Sequence, residues 1–248
     1  MADYKFPTEM VELPSQGHFY IDGHPLSTGK IELKYMTAKE EDILTSQNLI
    51  EQGGAIDMLL QSLIVNKSIN VDDLLIGDKN AVMVASRILG YGKEYEFKIN
   101  GEEHKTDLTK LESKKIDFKK YPKGKNEFSF KLPNSERTIT FKLLTGKDEK
   151  NIDLELKARE KISTKTSSNL TTRFKYIILS VDGKSDKSHI NNFVDNEFLS
   201  IDSLAFRKHL SQITPDVDMT TTIVGKDGKE SEVTIPVTVR FFWPNTEV

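Results

Sequence analysis

The stretch IELKYMTAKEED at residues 31–42 returns as ITFKLLTGKDEK at residues 139–150. An internal repeat constrains a fold more than any single motif, because the chain must then build similar units twice. A second pair of segments points the same way. DKNAVMVASRILGYGKEYEFKI from Asp78 aligns without a gap on DSLAFRKHLSQITPDVDMTTTI from Asp202, placing Ala81 on Ala205 and Ile99 on Ile223. Copies of this size are domain-like units and not the short stacked units of a solenoid. The expected organisation is two similar lobes: residues 1–122, with an N-terminal extended arm, and residues 123–248.

A chain of 248 residues holds one or two domains, and each half is long enough to bury a core. Charged residues make up 29% and apolar residues 37%, which is polar but well short of the depletion that keeps chains disordered. A net charge of -3 gives no electrostatic case for a nucleic-acid or membrane partner. The absence of cysteine excludes disulfides, thiolate zinc sites and a cysteine nucleophile together. No apolar run is long enough to span a bilayer, and MADYKFPTEMVELP is acidic and broken by proline where a signal peptide would be basic and then apolar. The expected location is therefore the cytoplasm in which the chain is made.

Within the first lobe, VELPSQGHFYI at 11–21 reads as short extended pieces around a turn marked by Pro14, Ser15 and Gly17. Ile31, Leu33 and Tyr35 alternate with Glu32 and Lys34, the period of a half-buried strand. Thr37-Ala38-Lys39-Glu40 fits a capping box, and Glu40, Glu41 and Asp42 suit the positive end of a helix dipole. In the second copy Thr145 stands with Asp148 and Glu149. These acids could also be read as metal ligands or an acid–base pair, but capping explains them without a ligand.

Ile56, Leu59, Leu60, Leu63 and Ile64 recur at helical spacing, and their counterparts are Phe174, Ile177, Ile178 and Val181. A further helix carries Ala81, Val82, Ala85, Ile88 and Leu89 and ends at Gly90-Tyr91-Gly92. Those glycines follow a helix, so they read as a C-cap and not as a phosphate loop. Tyr95, Phe97 and Ile99 alternate into an Asn100-Gly101 hairpin turn. In the second copy Met219, Thr221 and Ile223 lead to a turn at Gly225-Lys226-Asp227-Gly228, after which Val233, Ile235, Val237 and Val239 predict a long strand. Each lobe is thus strand, helices and β-hairpin, an α+β unit.

Between the lobes lies a basic run, Lys114, Lys115, Lys119, Lys120, Lys123 and Lys125. It is either a contact for phosphates or an acidic partner, or a solvated connector, and the lack of an aromatic platform favours the connector. The polar stretch KISTKTSSN at 161–169 reads as a mobile loop. His18, His24, His104, His189 and His209 show no zinc-hydrolase spacing, and no nucleophile elbow, Walker or kinase motif is present. No cofactor or metal is expected.

Four segments in order, ELPSQGHFY at 12–20, KYMTAKEEDILTSQNLI at 34–50, VDDLLIGDKNAVMVASRILGYGKEYE at 71–96 and IPVTVRFFWPN at 235–245, resemble the baseplate hub family of T4-like contractile-tailed bacteriophages. The resemblance covers most of the chain. It implies a non-enzymatic viral protein that helps to build the central hub of the tail baseplate, as a hub subunit or as an assembly chaperone. It also implies contacts with other hub and tail proteins, in the host cytoplasm during assembly and in the virion tail. Relatives often carry CxxC-type zinc ribbons after the Gly-Tyr-Gly helix end and before the final Phe-Phe-Trp-Pro. Here both places are plain hairpins, knuckles without thiolates, so metal binding is not carried over.

Phe241, Phe242 and Trp243 are the candidate partner-binding residues. On a strand three consecutive aromatics cannot share one face, and such residues are enriched at interface centres; a core buried on both faces would explain them equally. A rival from another class is a tail-associated hydrolase, which needs paired carboxylates in a cleft. The duplication raises the expectation of a homo-oligomer, three copies presenting a six-fold pattern.

Overall fold

A computed structural model describes residues 7–46, 48–49, 53–99, 101–162, 169–224, 230–237 and 239–242. The first half opens with antiparallel strands β1 (Thr8–Glu12) and β2 (Lys30–Lys34), in which Val11 faces Ile31. Alternation along β2 buries Ile31 and Leu33. The loop between the strands turns at Gln16 and Gly17, with φ of 51° and 73°. A Cβ on Gly17 would meet the Ser27 carbonyl oxygen at 2.4 Å, and one on Gly29 would meet the Gln16 carbonyl carbon at 2.6 Å. Close backbone approach as well as positive φ therefore requires glycine at both positions.

Helices α1 (Ala38–Thr45), α2 (Ala55–Leu63) and α3 (Ile76–Tyr91) follow, and then the hairpin β3 (Glu94–Ile99) and β4 (Glu102–Asp107). As the glycine pattern predicts, α3 stops at Gly92, which has φ of 82° and returns its amide to the Ile88 carbonyl at 2.9 Å. Of the expected hairpin turn Gly101 has φ of 82°, and Asn100 lies outside the described residues.

The second half begins with β5 (Phe128–Lys131) and β6 (Thr138–Phe141). Helices α4 (Gly146–Ile162) and α5 (Asn169–Ile177) lead to β7 (Ile178–Val181), which joins a three-stranded sheet in the order β5-β6-β7. Ile178 and Val181, expected on a helical face with Phe174, instead lie on this strand. Their β-branched side chains are buried there, and short apolar runs do not separate helix from strand by period alone. Helix α6 (Lys187–Asn192) runs into a π-helical turn (Phe193–Glu197), followed by α7 (Ser200–Ile213) and the hairpin β8 (Thr220–Val224) and β9 (Glu230–Thr234). Most of the expected loop at 161–169, and the turn at Gly225 to Gly228, lie outside the described residues.

The long strand predicted through Val239 is not formed. Strand β9 ends at Thr234, Ile235 adds one hydrogen bond to the Met219 carbonyl at 2.8 Å, and Val239–Phe242 is a 3-10 turn. Pro236 has no amide to continue a ladder.

The architecture is α+β. Both halves begin with an antiparallel pair and two helices that lead back to that pair, and both end in a long helix and a second hairpin; in the first half the return is a single antiparallel bridge of Ile64 to Leu33, and the second half carries the additional short helix α6. Two apolar clusters hold the chain together, and both draw side chains from either side of residue 122. The larger unites Phe19, Leu33 and Leu74 with Phe128, Phe141 and Phe206. The smaller sets Leu59, Tyr95 and Phe97 against Ile235, Phe241 and Phe242.

Candidate functional site

Thr37 and Thr145 head α1 and α4 in matching ways. The Thr37 amide donates to Glu40 Oε2 at 3.0 Å, and the Thr145 amide donates to Asp148 Oδ2 at 3.0 Å. A lysine at the end of the preceding strand completes each arrangement: Lys34 Nζ lies 2.7 Å from Glu40 Oε1, and Lys142 Nζ lies 2.7 Å from Asp148 Oδ1. Both carboxylates are buried. Burial pushes the Glu40 carboxyl up, but hydrogen bonds from Lys34 and Thr37 outweigh it and hold the group at about 2. Glu41 instead accepts from the Tyr91 hydroxyl at 3.1 Å, and burial together with that bond pushes the Tyr91 phenol up to about 12. Glu40 and Asp148 thus cap helices, and Glu41 ties Tyr91 to α1.

Two further buried acids stand at the starts of α3 and α7. Asp78 accepts from the Ser15 amide at 2.9 Å, the Ser15 hydroxyl at 2.6 Å and the Tyr20 hydroxyl at 2.7 Å. Tyr20 in turn accepts from the Leu75 amide at 2.8 Å. Burial raises the Asp78 carboxyl despite those donors. Asp202 takes the amides of Asn134 at 2.8 Å and Ser135 at 3.0 Å. There burial is outweighed, chiefly by the Asn134 and Ser135 amides, and the carboxyl is lowered. Each acid anchors the loop of its own half's first antiparallel pair, just after Leu13-Pro14 and Leu132-Pro133. Asp78 and Asp202 align with each other in the sequence, and the recurring Leu-Pro in each loop is the local signal of the sites they anchor.

The basic connector packs more closely than a solvated linker would. Ser113 bridges Val217, and the Lys114 amide donates to the Asp216 carbonyl at 2.8 Å. Phe118 and Tyr121 lie 5.7 Å and 6.1 Å from the Phe19 ring, and His18 Nε2 is 2.9 Å from the Tyr121 carbonyl oxygen. The aromatic side chains of the run are therefore spent on the core, while Lys114 and Lys115 line a groove of about 760 Å³ against Leu13, Pro14 and Lys30.

Phe241 and Phe242 are fully buried. The 3-10 turn, unlike a strand, lets consecutive side chains enter one core, which removes the two-faced geometry expected for them. Phe241 meets Tyr95 edge to face at 4.9 Å, and the Tyr95 hydroxyl donates to the Pro236 carbonyl at 3.0 Å. Trp243 lies outside the described residues.

The histidines are dispersed. His24 Nδ1 accepts from the Leu26 amide at 3.2 Å, and His209 stacks on Phe130 at 4.6 Å, where burial lowers its basicity. Among the described residues no group of three or more His, Asp or Glu side chains could hold a metal ion, and no helix is long and apolar enough to cross a membrane.

What the geometry presents is an α+β scaffold in which Glu40, Asp78, Asp148 and Asp202 hold caps and loops and Phe241 and Phe242 fill the core. The family described as T4 bacteriophage base plate protein matches residues 6–243, and the chain belongs to that family. Membership gives it a structural or assembly role in the phage baseplate, beside other baseplate proteins of the virion tail. No curated protein and no solved structure matches it.

Proposed function

We propose that this protein acts without catalysis in assembling the central hub of the baseplate, through contacts with other hub and tail proteins. The observation that carries this reading is the family match over residues 6–243, and the four ordered segments that resemble hub proteins narrow it to the hub. The fixed roles of Glu40, Asp78, Asp148 and Asp202 support a binding protein over a tail hydrolase, because a hydrolase needs carboxylates free to meet substrate. We also read the two halves, 1–122 and 123–248, as products of one duplicated unit; the matched caps and the matched Asp78 and Asp202 anchors support that descent. With Phe241 and Phe242 buried, an aromatic contact at the C-terminus falls to Trp243.

Mass spectrometry of purified virions beside hub intermediates from infected cells tests the reading, using the peptide NAVMVASR at 80–87. Presence in both makes the protein a hub subunit. Presence only in the intermediates makes it a chaperone that leaves before the tail is complete. Absence from hub intermediates, or cell-wall cleavage by the purified protein, overturns the proposal.

A further inference from the structure

The first residues of α3 and α7 have the same backbone but different cover. Leu75 precedes α3 with φ -57° and ψ 147°, and Leu199 precedes α7 with φ -59° and ψ 140°. Leu75 is buried by the other half of the chain: it bridges Thr145, the Ile76 amide donates to the Leu144 carbonyl at 3.1 Å, and the Gly146 amide donates to the Leu74 carbonyl at 2.9 Å. The next turn of α3 lies beneath the segment after α7. A Cβ on Gly77 would meet the Pro215 carbonyl oxygen at 1.8 Å, and Asn80 donates to Asp216 at 2.9 Å.

At the corresponding positions of α7 stand Leu199, Ile201 and Leu204, which are 49%, 58% and 45% exposed. The Ser200 amide, equivalent to that of Ile76, has no hydrogen-bond partner among the described residues. Three large apolar side chains beside a first helical amide that has no partner among the described residues form a surface that gains by being covered.

The molecule itself displays what covers such a surface. In the internal contact the occupant is Leu144-Thr145-Gly146, at the cap of α4. The equivalent segment of the first half is Met36-Thr37-Ala38, at the cap of α1, where Ala38 and Lys39 are exposed. We infer that Leu199, Ile201 and Leu204 dock the Met36-Thr37-Ala38 segment of a second copy of this chain, repeating between molecules the contact made between the two halves.

Such an interface is head-to-tail, so each copy offers one donor and one acceptor face, and association continues until a ring closes or a filament extends. The substitutions fit a wider version of the internal contact. Ile201 in place of Gly77 and Ala38 in place of Gly146 hold the backbones further apart, and the added side chains fill the gap with apolar surface. The inference rests on the correspondence of the two halves and not on which hub proteins the chain meets.

The chain has no cysteine, which makes the test direct. Full-length Ala38→Cys and Leu199→Cys proteins are mixed and treated with a short bismaleimide, and the mass of the unmodified chain is measured by sedimentation. A 38-to-199 crosslink in the mixture alone, and a mass above the 28.2 kDa of one chain, are expected. Ile201→Glu with Leu204→Glu, both at exposed positions, is expected to abolish the crosslink and return the mass to one chain with an unchanged circular dichroism spectrum. A monomer at every concentration overturns the inference, as does a 199-to-199 product, which means that the face meets itself. An assembly unaffected by the double glutamate variant also overturns it. A monomer that loses binding to purified hub proteins in that variant assigns the face to those proteins instead.

Discussion

The Ser15 hydroxyl donates to Asp78 at 2.6 Å with both residues buried, and this bond fastens the loop of the first antiparallel pair to the start of α3. Removing either partner strands polar groups away from water. Asp78→Ala leaves the Ser15 amide, the Ser15 hydroxyl and the Tyr20 hydroxyl without their acceptor, and a loss of about 3 kcal/mol is expected. Ser15→Ala removes one donor and should cost about 1–2 kcal/mol. Because the two residues share one network, the double variant should lose less than the sum of the single losses. Urea unfolding of the four proteins checks this, and strict additivity would show that the bond carries no coupling.

Glu40 ties stability to acid pH. Its carboxyl is held at about 2 against an ordinary 4.5, since hydrogen bonds from Lys34 and Thr37 outweigh burial. A carboxyl lowered on folding adds stability that is fully present above the unfolded value and is lost as pH falls through the folded one. The margin of the native protein over Glu40→Gln should therefore be constant above about pH 5 and shrink steadily from there toward pH 2. At neutral pH, loss of this charge should cost about 1–3 kcal/mol. Parallel stability curves for the two proteins across that window would contradict the assignment.

Phe241 joins the end of the chain to β3. Phe241→Ala opens a cavity beside Tyr95 and Phe242 in the smaller apolar cluster and should cost about 3–5 kcal/mol. The edge-to-face contact with Tyr95 should appear as a coupling of about 0.5–1.5 kcal/mol in a double-mutant cycle. Truncation before Phe241 should give insoluble protein. A truncated chain that stays folded and loses only binding to other baseplate proteins would move the C-terminal aromatics from the core to an interface.

Local chemistry made much of this chain legible. A cap needs only Thr37 and Glu40, or Thr145 and Asp148, a turn apart, and a helix stop needs only Gly92, so both follow from neighbouring residues. The periods of two and of three to four residues likewise indicate β2, α2, α3 and the two hairpins, and hence an α+β class, while β5 and α6 carry no clear period. Ile178 and Val181 were misplaced because a short apolar run satisfies either period. The strand expected through Val239 failed where Pro236 and two aromatics met a core that no local pattern describes.

By itself, then, the sequence determined the helix caps, the hairpins and the α+β class, each set by hydrogen bonds and steric limits within a few residues. Only the tertiary structure decided that Asp78 would bind Ser15, that Phe241 would pack on Tyr95, and that Leu75 would be covered while Leu199 is exposed. The reason is that burial depends on which distant segment arrives. Gly77 lies beneath Pro215 and Ile201 faces solvent, a difference fixed by how the halves pack and not by the helix that carries either residue.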